Sequence, residues 1–571
     1  MSKPLPPLDP ELDPSTRQAL QNGLSRRSFL ATTAAGAAGA AVLGMTSVPA
    51  LAAVPEAPKG RKAPGTPAPG TEFAHSSDGG ATLQFMPKPK AIPEKAIVAT
   101  HTCDVVVVGA GASGVCAALS AQEAGAKVIV LQKAPFAVSQ GNTGTGLDLD
   151  GCDKAGVEAL VARIIGDNNH RSNPKLVRQW AYNSGQAVKW VIDRAKKGGS
   201  PVIDQGNLQH GPNLKVNGYK MNYITSFFGP KPYTTGDGMR HLAAYAEKQG
   251  VKFFYRHPAM SLVQSPAGAV IGVIAQDPQG KYVRFMAKKG VILATGDYQS
   301  NKAMSDYFLP DLRNLGRKQM DRDGDGFVLA YWAGGVIEPI GHTKMLHDFD
   351  AGPATMCDMP FLAVDRKGKR FVSECVDMSL LNNYLKSEED AGHYCQIFDA
   401  DYMTRAAKWP GRLVPPEGLK NYMPGVPGPK KGVLEPFINT HVADTLEELA
   451  RKLEIDPANL VATVKRYNEL AAAGRDEDFG NPAEKMAPVL KAPFYGIHRT
   501  VRVSAITSGM VVNENHNALA ADGKPIKGLY VVGNLSGGFY GGIDYPLTVP
   551  GLSLGRCYTI GYLTGKHVAS L

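Results

Sequence analysis

The chain has 571 residues, 43% hydrophobic and 20% charged, which supplies ample apolar material for packed cores and excludes a largely disordered protein. The length exceeds one ordinary domain and suggests two or three. Lysine and arginine number 62 against 52 acidic residues, and the resulting +10 is scattered rather than gathered into the basic blocks of nucleic-acid-binding arms. No nucleic-acid partner is expected. Glycine is frequent, at 63 residues, as in chains with many tight turns and close backbone–ligand contacts.

Ser25-Arg26-Arg27-Ser28-Phe29-Leu30 precedes a weakly apolar Ala/Gly stretch to Met45, and small residues at Ala50–Ala53 form a cleavage-site pattern. Paired arginines before such a stretch predict a twin-arginine export signal over 1–53, a route that carries folded proteins, commonly with a cofactor in place. The Pro-, Lys- and Gly-rich residues 54–100 read as a linker. The expected location is periplasmic, cell-envelope or extracellular, with no transmembrane segment in the mature chain. Seven cysteines without a C-x-x-C pattern support neither a disulfide framework nor a zinc, iron–sulfur or covalent haem site, so no metal is expected.

Asp104-Val105-Val106-Val107-Val108 predicts a buried parallel strand running into Gly109-Ala110-Gly111-Ala112-Ser113-Gly114. A small-residue helix follows, ending at Gly125, and then a second strand, Lys127–Leu131, leading to Gln132 and Lys133. In this order Gly109 permits a tight turn, Gly111 lets backbone N–H groups approach a pyrophosphate, and Gly114 lets helix and strand pack closely. The helix N-terminus then faces the phosphate charge. Gln132 stands where an acidic residue usually binds ribose hydroxyls, and its amide still offers one acceptor.

Further along, Ser139-Gln140-Gly141-Asn142-Thr143-Gly144 is a second small polar loop, and Gly290–Gly296 and Gly528–Asn534 each run from strand into a glycine turn. With these pieces the sequence resembles the FAD-containing flavoprotein family of fumarate reductase, succinate dehydrogenase and 3-ketosteroid dehydrogenases. The matching segments are VVVVGAGASGVCAALSAQEAG, SQGNTG, VILATGDY, RDGDGFVLA, RKGKRFVSE, YNELAAAGRDEDFGNP, APFYGI and GLYVVGNLSGGFYGG, in family order over residues 102–571. The resemblance implies an α/β fold, a Rossmann-like FAD-binding domain split over 101–336 and 501–571, with an inserted α+β capping domain at 337–500. It implies that Gly109, Gly111, Ala112, Ser113, Gly114, Gln132, Lys133, Ser139, Gly141, Asn142, Thr143, Gly144, Thr295, Gly296, Asp325, Gly533, Asn534, Ser553 and Leu554 bind FAD. Relatives with covalent FAD attach it through a histidine just before the SQGNTG-like segment. Here that stretch is Phe136-Ala137-Val138, so non-covalent FAD is expected.

The resemblance also locates the substrate groups, and most have changed. The family's proton-delivering arginine, four residues after the glutamate of RFVSE, is here Met378. The terminal histidine and arginine of fumarate reductases become Tyr540 and Asp544, and a further histidine is missing from Ala505–Gly509. His342 alone still matches a substrate-facing position. A dicarboxylate beside Asp544 without either arginine would meet uncompensated repulsion. Tyr545-Pro546 with Gly551 resembles instead the end of 3-ketosteroid dehydrogenases, where a tyrosine hydroxyl and a glycine N–H polarise a substrate carbonyl, although the spacing here is two residues longer. Tyr540, Tyr545, His342 and Gly551 are therefore the catalytic candidates. The alternatives are that the tyrosines pack against flavin or cap and that His342 is a hydrogen-bonded structural residue.

Together these readings predict an exported FAD-dependent oxidoreductase acting on CH–CH groups. It would reduce a C=C bond conjugated to a carbonyl in an enone, steroid or phenolic-type small molecule. Electrons would come from an external carrier such as a cytochrome or quinone-linked protein. The alternatives are a 3-ketosteroid-type dehydrogenase working oxidatively, or a non-catalytic flavin electron-transfer subunit.

Overall fold

The computed structural model describes residues 86–571 except 208–209, 211–212, 229–233, 319–320, 340, 348–351, 410–411, 427–432, 434–437 and 542–544. The expected export signal, most of the expected linker, and Asp544 lie outside the described residues.

The chain forms two units, each with its own core. The larger begins with β1 (Ile97–Val108), α1 (Ala112–Glu123), β2 (Val128–Gln132) and β3 (Thr143–Leu147), followed by α2 (Pro174–Lys197), β4 (Tyr223–Phe228), β5 (Lys252–Tyr255), β6 (Tyr282–Leu293) and α3 (Asp325–Trp332). Its eight-stranded sheet has β1 at the centre, parallel to β2 on one side and to β6 on the other, with β5 beyond β2. Val105, Val106 and Val107 are fully buried, as a parallel strand covered on both faces requires. Every residue of α1 from Ala112 to Ala121 is buried, so its small side chains let the sheet and neighbouring helices approach closely.

The smaller unit comprises Asp348–Asp377 and His393–Thr500. It contains β7 (Leu362–Val364), β8 (His393–Phe398), β9 (Thr440–Ala443), α4 (Leu446–Lys452), α5 (Pro457–Ala473) and β10 (Phe494–Thr500). The strands form an antiparallel sheet ordered β7-β8-β10-β9, with Leu449, Leu460, Val464 and Tyr467 of the two helices packed on Leu362 and Ile397. Thr445 and Asp456 cap the two helices, accepting from Glu448 N and Asn459 N. The chain then returns to the larger unit as β11 (Arg502–Ile506), β12 (Pro525–Val531), parallel to β6, and the long α6 (Leu552–Ser570).

Two boundaries differ from expectation. Residues 86–100 are not all linker: Met86 is buried and its carbonyl accepts from Trp332 Nε1 (3.1 Å), and β1 already begins at Ile97. Proline- and lysine-rich composition hid a segment held by a few bonds. The expected cap, 337–500, also loses two pieces to the larger unit. The strand Lys344–His347 pairs with β11, and Met378–Gly392 is tied there by Lys386–Asp311 and by Val501 N donating to Gly392 O (2.7 Å). Among the described residues no helix is long and apolar enough to cross a membrane, and no group of three or more His, Cys, Asp or Glu side chains is placed to hold a metal ion.

Candidate functional site

The turn between β1 and α1 is built with no room to spare. Gly109 has a φ of 105°, its N–H donates to Leu131 O (2.7 Å), and a Cβ there would lie 2.5 Å from Ala294 O. A Cβ on Gly114 would stand 2.0 Å from Gly109 O. Gly111, in extended backbone, is the N-cap of α1 and brings no side-chain cap, so the first-turn N–H groups of Ala112, Ser113 and Gly114 lack a side-chain acceptor. The Gly533–Asn534 turn after β12 closes on the same place: Gly533 has a φ of 73°, and a Cβ there would meet Ser113 Oγ at 2.5 Å. Thr295 and Gly296 follow β6, where Thr295 Oγ1 accepts from Gly326 N (3.1 Å) and ties that turn to α3.

Gln132 is buried, and its amide is committed locally: Oε1 accepts from Lys133 N (3.1 Å) and Nε2 donates to Phe136 O (3.1 Å). Lys133 Nζ sits between Asp323 (2.6 Å) and Asp325 (2.9 Å), the latter in the first turn of α3. Burial alone would lower the Lys133 pKa, but the two carboxylates outweigh it and hold the ammonium above its ordinary value.

A second cluster gathers the SQGNTG segment against the start of α6. Gly141 and Asn142 are exposed, whereas Ser139, Ser553 and Leu554 are half-buried. A Cβ on Gly141 would meet Leu554 Cδ1 at 2.7 Å, and one on Gly144 would enter the Tyr558 ring. Gly551 has a φ of 81° and caps α6; its carbonyl accepts from Thr145 N (3.0 Å). A Cβ on Gly551 would lie 2.7 Å from Thr143 Oγ1. Two polar atoms of this wall, Thr143 Oγ1 and Gln140 Oε1, are buried without a protein partner. A cradle with no room for a Cβ, an uncapped helix start and orphaned polar atoms fit FAD, which the Gly109–Gly114 turn and the SQGNTG wall would hold.

Tyr540 and Tyr545 stand together, ring centroids 4.8 Å apart. The Ser553 N–H, in the first turn of α6, bonds the Tyr545 oxygen, and burial pushes this phenol up to about 12, so it remains a protonated donor at neutral pH. The Tyr540 hydroxyl is buried beside the Tyr545 hydroxyl, and burial pushes its pKa well above the usual phenol value. His342 is placed as the alternative reading has it, hydrogen-bonded within the fold. It is fully buried and stacked on Phe308 at 4.3 Å. Its Nε2 donates to Glu338 O (2.8 Å), which leaves Nδ1 to accept from the Tyr298 hydroxyl (2.7 Å). Burial pushes His342 down to about 4, so it is neutral, with both nitrogens engaged and none left for substrate. The histidine motif was visible in sequence, but the partners that close it off were not.

Two residues at this site escaped sequence reasoning. Arg556 is a fully buried cation whose Nη2 donates to Gly533 O (3.2 Å) and Ser536 O, and Glu338 accepts from Gly509 N and Gly538 N (both 2.8 Å). A lone arginine within the small and apolar run Leu552–Leu563 was the available signal.

Residues 104–545 match the family described as "FAD binding domain". A vinyl phenol reductase from Lactiplantibacillus plantarum is 27% identical over 499 residues, covering 82% of this chain and 96% of the relative. A probable fumarate reductase, Ifc3, from Shewanella frigidimarina is 26% identical over 472 residues, covering 78% of this chain and 72% of the relative. Among solved structures, the open conformation of a flavocytochrome c3 fumarate reductase shares the fold, with a TM-score of 0.64 at 22% identity over 82% of this chain and 78% of that one. The chain therefore belongs to the FAD-binding-domain family of fumarate reductase-like flavoproteins, and it is an FAD-dependent oxidoreductase acting on CH–CH groups.

Proposed function

We propose that the protein is an exported reductase with non-covalent FAD that saturates a C=C bond conjugated to a carbonyl or a phenolic ring in a neutral or weakly charged molecule. The observation that carries this reading is the buried Tyr540–Tyr545 pair, ring centroids 4.8 Å apart, in a segment where by resemblance Tyr540 replaces a carboxylate-binding histidine and Tyr545 matches the carbonyl-polarising tyrosine of 3-ketosteroid dehydrogenases. The vinyl phenol reductase relative supports the phenolic option. The arginine pair pattern at Arg26-Arg27 supports export, and Phe136-Ala137-Val138 offers no histidine for a covalent flavin link.

FAD supplies two-electron hydride chemistry when bound. The chain's own residues do the rest. The Tyr545 hydroxyl, its oxygen already bonded by Ser553 N–H, donates its proton outward to a substrate oxygen and stabilises the charge that develops there. With His342 closed off, Tyr540 is the remaining member of the expected set able to hand a proton to the carbon beside the hydride-accepting one, and the proton would return to it through the adjacent Tyr545 hydroxyl. The electrons would come from an external protein carrier.

Tyr545→Phe keeps the ring and loses the donor. Its kcat/KM on a confirmed acceptor is expected to fall by about 10²–10³, as for removal of one oxyanion donor, with FAD content unchanged. Turnover equal to the parent's would remove Tyr545 from the reaction.

A further inference from the structure

The segment Gly533–Tyr540 carries Asn534 of the expected cofactor set at one end and Tyr540 at the other. Its middle is held by neutral backbone bonds, Met510 N to Leu535 O (2.8 Å) and Gly537 N to Met510 O (2.9 Å). Two charged side chains grip it besides. Arg556, reaching from α6, donates to the carbonyls of Gly533 and Ser536, and its guanidinium lies under the rings of Phe539 (5.2 Å) and Tyr540 (5.5 Å). Glu338 takes the opposite polarity: its two oxygens separately accept Gly538 N–H and Gly509 N–H. Gly537 is pressed onto that carboxylate, since a Cβ there would lie 2.5 Å from Glu338 Cδ. Part of Glu338 remains at the surface, but its carboxyl end is deep enough that burial pushes the pKa up against the pull of Arg556 and the N–H donors.

We propose that Glu338 and Arg556 are positioning residues, a clasp of opposite charges that fixes the Gly533–Tyr540 loop and so couples cofactor binding at Asn534 to the placement of Tyr540. A carbonyl needs a donor and an N–H needs an acceptor, so a loop gripped through both kinds of group resists sliding in either direction. Each charge also offsets the other. Removing one leaves the second with weakened compensation in a low-dielectric setting, whereas removing both does not. The role of Tyr540 in substrate chemistry rests on the function proposed above; the grip on the cofactor end does not.

The test uses the full-length protein. Arg556→Gln is expected to weaken FAD binding by apo-protein about tenfold or more, read by flavin fluorescence, because hydrogen bonds from a charged donor are lost. Glu338→Gln is expected to do the same: an amide oxygen accepts one N–H, while the amide NH₂ opposes the other. The double variant should bind FAD more tightly than the product of the two single effects predicts. Arg556→Lys keeps the cation and should recover part of the loss. On a working substrate the single variants should lower kcat more than they raise KM. In the parent holoenzyme the Gly538 amide should exchange hydrogen slowly, a reading that needs no variant to fold. Single variants with FAD affinity and kcat within twofold of the parent, a strictly additive double variant, or a Gly538 amide exchanging like an exposed loop would each overturn the clasp. The affinity and exchange measurements need no organic substrate, so they stand apart from whether the proposed function is right.

Discussion

Arg370→Ala is expected to destabilise the smaller unit by about 3–5 kcal/mol, the usual cost of leaving buried charges without their partner. Arg370 binds both oxygens of Glu374 (2.8 and 2.6 Å) and both of Asp476 (2.9 and 2.7 Å), and those two carboxylates are almost fully buried. Its guanidinium is flanked by the rings of Tyr467 (5.1 Å) and Phe479 (4.7 Å), and Asn481 Nδ2 completes the set on Glu374 (2.5 Å). The RKGKRFVSE and RDEDFGNP segments, far apart in sequence, thus meet as one charge network that holds β7 and α5 together. Burial would raise the Asp476 pKa, but the Arg370 bond and backbone N–H groups outweigh it and bring it to about 2. An unfolded aspartate titrates near 4, so the stability from this carboxylate is complete above about pH 4 and is lost as the pH falls toward 2. Denaturant melts across that range should show an acid limb in the parent and a smaller one in Arg370→Ala. Equal unfolding free energies at pH 7 would contradict the network's importance. FAD content is expected to survive at temperatures below the transition, because every cofactor candidate lies in the larger unit.

Gly114→Ala should be nearly as costly, but at the cofactor. The added Cβ would stand 2.0 Å from a backbone oxygen and 3.1 Å from Ala294 Cβ, and no flexible side chain can yield there. Overpacking of this kind costs about 1–3 kcal/mol. Because relief requires moving the β1–α1 turn itself, the loss is expected as FAD affinity, roughly ten- to a hundredfold, measured by titrating FAD into apo-protein. Unaltered affinity would mean that this turn does not hold the pyrophosphate.

The legible part of the molecule was the part whose chemistry is local. Strand, glycine turn, helix and second strand follow one another within about thirty residues, so Gly109, Gly111 and Gly114 could be assigned from spacing and the tight-turn requirement alone. The tyrosine pair was legible for a similar reason, since five positions separate Tyr540 from Tyr545. Long-range partnership was not. His342 matched a motif, yet its two ring nitrogens are engaged by a tyrosine 44 positions away and by a backbone carbonyl. Glu338 and Arg556 reach one loop from positions far apart in the sequence, and nothing in either neighbourhood announces the other. The cap boundary failed because Met378–Gly392, inside the insertion by sequence, is tied by Lys386 and Gly392 to the larger unit. The opening of the domain was missed because composition describes an average, and a few bonds, from Met86 and Lys88 to Trp332 and from Glu94 to Arg284, are enough to anchor a proline-rich segment.

The central claim is that loss of the carboxylate-clamping histidine and arginine, with Tyr540 and Tyr545 paired in the same segment, redirects this fold from dicarboxylates to neutral conjugated alkenes. It is tested most directly by reducing the purified flavoprotein with dithionite under anaerobic conditions and mixing it with a panel of acceptors. The panel should contain a vinyl phenol, a neutral enone, an acrylate and fumarate, with return of the oxidised flavin absorbance as the readout. The account predicts that the vinyl phenol or the enone reoxidises the flavin faster than fumarate does, and that Tyr545→Phe slows that reaction. Reoxidation by fumarate as fast as by any neutral acceptor, or by no acceptor faster than by buffer, would contradict it.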